Sequence, residues 1–212
     1  MKKLIKRLLR ESLIGEVAKT PEQLPKGTGL FYKKGDSHEL VLFNPKSKEA
    51  YGIINFVHNP SESNFYYVIA VAAEKDFGPL MYELAMMYVS NKRPNMLTPT
   101  RSGDIRGKAW SVWERMFKRE DIKKDELDVT DNNFRFDLIT GEKDEISPEE
   151  KLKWFKEATP DEQLGLRVFN SGYSKQPSDG YKKLIQVANQ YGEDTYELAS
   201  KIGDDLWQAS YK

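Results

Sequence analysis

Residues 64–89, NFYYVIAVAAEKDFGPLMYELAMMYV, constrain the fold more than any other stretch of the chain. From Val68 to Ala73 every residue is apolar, with no polar alternation. A strand of that kind is buried on both faces, so other elements must cover its sheet from above and below. After the turn Glu74–Phe77, a glycine opens a second apolar stretch. There Leu80, Met81, Leu84, Ala85, Tyr88 and Val89 recur at helical spacing. The segment reads as buried strand, short turn and a helix over about Gly78 to Ser90.

Its neighbours say how that strand is paired. HELVLFN (38–44) and EAYGIINFVHN (49–59) are joined by PKSK, and PSES leads into NFYYVIAVAAE (64–74). Turns this short favour antiparallel neighbours. Downstream lie a brief strand candidate around Met96 to Pro99 and a helix in GDIRGKAWSVWERMFKRED. That helix turns Ile105, Ala109, Val112, Trp113 and Met116 inward, and a strand FRFDLIT (134–140) follows it. Hairpins leading into strand–helix–strand units predict an α/β fold with a mixed, mostly antiparallel sheet.

Beyond about residue 147 the pattern changes. SPEE (147–150) and TPDE (159–162) are capping boxes with proline at the first helical position. Tyr181, Leu184, Ile185 and Ala188, then Tyr196, Leu198, Ala199, Ile202 and Leu206, continue at helical spacing. The whole segment therefore reads as helical. The expected division is an amphipathic N-terminal helix (1–20), an α/β body (21–145) and a helical C-terminal extension (146–212).

Composition narrows the function classes. With 39% hydrophobic residues in a chain of 212, a substantial core is affordable despite 31% charge. Thirty-three basic and 33 acidic residues give zero net charge, which argues against nucleic acid as a partner. The chain has no cysteine, which excludes disulfides, thiolate catalysis and thiolate-bound zinc, and fits a cytoplasmic protein. No apolar run approaches the roughly 20 residues that span a bilayer. In MKKLIKRLLRESLIGEV, Leu4, Ile5, Leu8 and Leu9 share one helical face, surrounded by Lys2, Lys3, Lys6, Arg7 and Arg10. That helix is expected to pack on its own domain, docking to a partner or membrane surface being the alternative.

No side-chain constellation stands out as catalytic. His38 and His58 read as strand residues, too few and too far apart in sequence for a metal site. Glu39, Glu49 and Glu83 are expected in solvent rather than facing a cleft. KREDIKKDELD (118–128) reads as a solvated helix end and loop. The aromatics of NFYYV and AWSVWERMF read as core packing rather than a stacking platform for single-stranded nucleic acid.

The strand–loop–helix at 64–89, followed by MLTPTRSGDIRGKAWSVWERMF (96–117), resembles the GNAT superfamily of N-acetyltransferases, over roughly residues 28–140. In that family a central strand ends in a loop reading Gln or Arg, two residues, Gly, one residue, Gly or Ala. The loop opens a helix whose N-terminus receives the acetyl-CoA pyrophosphate, since unpaired amides and the helix dipole favour an anion there. Here the loop is AEKDFG: Gly78 matches the second glycine, Ala73 stands in place of Gln or Arg, and Asp76 replaces the first glycine. Asp76 and Glu74 bring negative charge, Lys75 offsets one of them, and Pro79 has no amide to donate.

The resemblance implies a GNAT-type sheet and an acetyl-CoA site made by Val71, Ala73, Lys75, Asp76, Phe77 and Gly78. Val71 and Ala73 would contribute backbone contacts, and Gly78 its helix-end amide. Ala109 is followed by Val112 and Trp113 where the family has an aromatic pair. The second of that pair is a tyrosine in many members, the proposed acid for the departing thiolate; Trp113 has no phenolic proton. Arg93, Arg101, Arg106 and Lys108 are basic candidates for the CoA 3′-phosphate or an acidic partner. GPLMYELAMMY, LTPTRS and AWSVW are similar to phage-encoded proteins related to this fold. The implied function is a CoA-dependent N-acyltransferase with an atypical pyrophosphate loop. The alternative is a catalytically inactive binding or structural module, such as a virion component, docking a protein partner through its N- or C-terminal helices.

Overall fold

Strands that carry apolar residues on both faces need a cover on each side, and the chain supplies both covers itself. The computed structural model describes residues 19–58, 64–92, 95–99, 108–126 and 147–210. The expected N-terminal helix and the strand at 134–140 lie outside the described residues, as do Arg93, Arg101, Arg106 and the side chain of Lys108.

After a short 3-10 turn at Pro21–Gln23 come β1 (Gly29–Lys34), β2 (His38–Asn44), β3 (Glu49–His58) and β4 (Phe65–Ala73). Helix α1 (Gly78–Lys92), β5 (Met96–Thr98), α2 (Lys108–Lys118) and β6 (Lys123–Glu126) follow. The last part holds α3 (Pro148–Glu157), α4 (Pro160–Phe169), β7 (Ser171–Ser174), α5 (Asp179–Ala188) and α6 (Glu193–Ser210). Among the described residues, seven strands form one sheet in the order β1-β2-β3-β4-β5-β7-β6, in which β4–β5 is the parallel pair and the rest are antiparallel. The fold is thus α/β with a mixed, mostly antiparallel sheet.

Alternation along the strands sorts the two faces. Leu40, Leu42, Ile54, Phe56 and Val68 pack against the buried face of α1, including Leu80, Leu84 and Tyr88. Val41, Phe43, Ile53 and Ala72 pack instead with Ala199, Tyr196 and Ile202 of α6. Both helices come close because β3 and α6 each carry a glycine at the crossing. A Cβ on Gly52 would lie 2.6 Å from Met81 Cγ, and one on Gly203 would lie 2.9 Å from Ile53 Cδ1.

Three strands depart from the sequence reading. β1 has three buried residues, Gly29, Leu30 and Phe31, too short an apolar run to read as a strand. β6 is KKDE, drawn from the charged run expected as helix end and loop, and among the described strands it is an outermost one, where lysine suits solvent. β7 corrects the reading of everything beyond residue 147 as helical. Its SGYS sequence lies between β5 and β6, with Ser171 and Tyr173 fully buried. The capping boxes are present: Ser147 and Thr159 amides donate to Glu150 and Glu162 carboxylates at 2.9 and 2.8 Å. Among the described residues no helix is long and apolar enough to cross a membrane.

Candidate functional site

Strand β4 outruns its parallel neighbour. Pairing with β5 covers Phe65↔Met96, Tyr66↔Leu97 and Tyr67↔Thr98, whereas pairing with β3 continues to Gly52↔Ala73. One residue further on, the Glu74 amide donates to the Tyr51 carbonyl at 3.0 Å. In an antiparallel ladder, hydrogen-bonded and non-hydrogen-bonded pairs alternate. Counting back from Glu74, Ala72 and Ala70 direct their main-chain groups at β3, and Ala73 and Val71 direct theirs to the opposite side. That is the side of β5, whose pairing stops at Thr98, and among the described residues no strand continues there. The side chains of Val71 and Ala73 pack under α1, so their main-chain groups are what this strand edge presents.

A bulge sits in the same stretch. Asn55 pairs with Ala70 and Phe56 with Val68, leaving Ile69 as the extra residue, 51% exposed. The bulge keeps Val68 and Val71 on the α1 face while Ala72 stays on the α6 face. Nothing in the sequence marks it, because the run is apolar on successive residues and carries no period to break.

The turn that follows bends through Asp76, whose φ of 72° lies in the left-handed region that favours glycine. Aspartate tolerates that conformation better than most side chains. The Phe77 amide is taken by the Glu74 carbonyl at 3.1 Å, and Met81 N–H to the Phe77 carbonyl, also 3.1 Å, is the first bond of α1. Phe77 therefore occupies the N-cap position with a side chain that accepts no hydrogen bond. Its ring instead stacks on Tyr51, centroids 5.1 Å apart. Gly78 and Leu80 carry first-turn amides, Pro79 carries none, and the space where a Gly78 Cβ would stand meets no described atom within 4 Å. Lys75 and Glu74 are exposed and Asp76 is half-buried.

Two acids expected in solvent are not there. Glu83 of α1 is 8% exposed and held by Arg119 and Lys175, the latter 2.5 Å from Oε2. Arg119 also grips Asp121 through two bonds of 2.8 and 2.6 Å, and Lys175 reaches Asp121 at 2.8 Å. The Arg119 hydrogen bonds hold the Asp121 carboxyl well below the usual carboxylate range, with Lys175 adding to the effect. Glu39 is half-buried and accepts from Ser200 Oγ at 2.7 Å, whereas Glu49 is exposed as expected.

Trp113 is core. It is 2% exposed, edge-on to Tyr82 at 5.0 Å and tilted on Tyr173 at 4.9 Å. Burial pushes the phenols of Tyr82 and Tyr173 upward, and the Tyr173 hydroxyl donates to the Val168 carbonyl at 2.6 Å. The histidines, distant in sequence, meet at one ring: Tyr66 lies 5.3 Å from His38 and 4.9 Å from His58. Pairing of His38 with Phe56 places both on one face of neighbouring strands. Compared with family models, curated proteins and solved structures, the chain matches none.

Proposed function

We propose that this chain is a GNAT-like protein that binds an acyl-CoA along β4 and α1 and acts as a CoA-dependent N-acyltransferase. One observation carries the reading: β4 runs past the end of β5 with the main-chain groups of Val71 and Ala73 turned to the side where no described strand pairs with them. A strand edge of that kind suits the amides of the pantetheine arm. The positive φ of Asp76, at the position where the family has glycine, adds support from the turn itself.

The fit to the whole cofactor is uneven. Gly78 and Leu80 amides and the exposed Lys75 suit a diphosphate, whereas Glu74 and Asp76 oppose one. Phe77 holds the turn by its stacking on Tyr51. In the proposed reaction a neutral amine nitrogen attacks the thioester carbonyl, the C–N bond forms as the C–S bond breaks, and the proton that the nitrogen gives up balances the one that the departing thiolate takes up. The test is a thermal-shift titration with acetyl-CoA. Saturation at ten times Kd adds about 1.4 kcal/mol, about 3–6 °C for a chain of this length. No shift at millimolar acetyl-CoA would overturn the reading.

A second reading, an inactive GNAT-type binding or structural module such as a phage-particle component, is favoured by Trp113. Where the family's acid would stand, an indole is sealed between Tyr82 and Tyr173. Thiol release separates the two readings without background, since the chain has no cysteine. Acetyl-CoA binding without release of free thiol across a panel of amines supports the module.

A further inference from the structure

A polar row crosses the α6 face of the sheet. Lys33, Glu39, Asn55 and Ala70 are successive cross-strand partners on β1, β2, β3 and β4. The adjacent row on that face, Phe31, Val41, Ile53 and Ala72, is apolar and sealed by α6. Glu39, Asn55 and Ala70 are each half-buried, and the row ends beside the exposed bulge residue Ile69. Ser200 of α6 donates to Glu39 Oε1. Asn55 Oδ1 is buried and has no hydrogen-bond donor among the described residues.

We infer that Glu39 and Asn55 form the seat of an amine. A carboxylate and an unfilled carbonyl oxygen side by side present acceptors and negative charge, so an anion is repelled and a cation with several N–H donors is favoured. A primary ammonium meets both demands, giving one N–H to Glu39 and one to Asn55. Lys33 is exposed at the outer end of the row. Asn55 Oδ1 is closed to solvent in the free protein, and α6 lies over β2 and β3 with Ser200 on Glu39 and Gly203 on Ile53, so the amine enters by displacing that edge of α6. Strands lie about 4.8 Å apart, so a ligand on Asn55 is one strand from β4 and its bulge. Its role as an acceptor site rests on the acyltransferase reading and requires the seated ammonium to pass one proton to the Glu39 carboxylate before its nitrogen attacks, while the binding itself stands apart from that reading.

The probe is n-butylammonium, titrated into the full chain by calorimetry, with tetramethylammonium as the cation that lacks N–H donors. Saturable binding of n-butylammonium, little of tetramethylammonium, and a loss of about tenfold or more in Glu39→Gln are expected, the charge-assisted bond being removed. Asn55→Val, which suits a strand, should weaken binding about threefold or more by removing one acceptor. It serves as the second variant should Glu39→Gln fail to fold by circular dichroism. Absence of saturable n-butylammonium binding, equal binding of tetramethylammonium, or unchanged affinity in Asn55→Val would overturn the seat. Acetyl-CoA thermal shift on the same sample keeps the two ideas apart. Amine binding without an acetyl-CoA shift leaves the seat standing and removes the acyltransferase; the converse removes the seat.

Discussion

Glu83 of α1 and Lys175, just past β7, form an ion pair 2.5 Å apart with side chains only 11% and 16% exposed. The pair joins a helix and a strand end 92 residues apart in sequence, and Arg119 closes on the same carboxylate. Breaking a buried pair from one side leaves an uncompensated charge. Glu83→Leu leaves Arg119 and Lys175 sharing the single, half-exposed carboxylate of Asp121, and is expected to cost about 3 kcal/mol, the low end for a broken buried pair. Lys175→Met leaves Glu83 bonded to Arg119 and should cost about 1–3 kcal/mol. Urea unfolding of both variants measures the order, and a milder Glu83→Leu would show the cluster to be dispensable.

Acid should weaken the same region. The Asp121 carboxyl is depressed by hydrogen bonds from Arg119 and then by Lys175. A depressed carboxylate contributes stability above its unfolded pKa of about 3.9, and the contribution is lost as pH falls from there through the folded value. Because the Asp121 side chain is 53% exposed, the gain is at most about 1 kcal/mol. Asp121→Asn should therefore shallow the acid limb below about pH 4 without changing its neutral-pH slope, as read by unfolding free energy against pH.

The left-handed Asp76 offers a test of the turn. Asp76→Gly relieves that conformation but adds unfolded-state entropy, so stability should stay within about 1 kcal/mol of the parent. Removing a carboxylate beside the helix start should enlarge the thermal shift given by acetyl-CoA. An equal or smaller shift would count against phosphate approach at this turn.

Trp113 is expected to act through packing alone. Trp113→Ala should cost about 3–5 kcal/mol through the cavity it leaves between Tyr82 and Tyr173. Trp113→Phe should cost less and leave any amine-dependent thiol release unchanged. A selective loss of that release in the folded Phe variant would assign the indole a role in chemistry.

What the sequence determined by itself is what depends on near neighbours along the chain. The helix from Gly78, the hairpin strands β2 to β4, and the caps at Ser147 and Thr159 all follow from spacings of a few residues. The turn residues of the candidate site were legible for the same reason, since Glu74–Gly78 are consecutive. Only the tertiary structure decided where β5 stops beside β4, that Ile69 is a bulge, and that SGYS fills the gap between β5 and β6. The convergence of His38 and His58 on Tyr66, and the burial of Glu83, belong with these. Such features rest on pairing and desolvation between segments tens of residues apart. A short strand or a charged side chain gains its partner only when the sheet has formed, so its own sequence carries no period or cap to announce it.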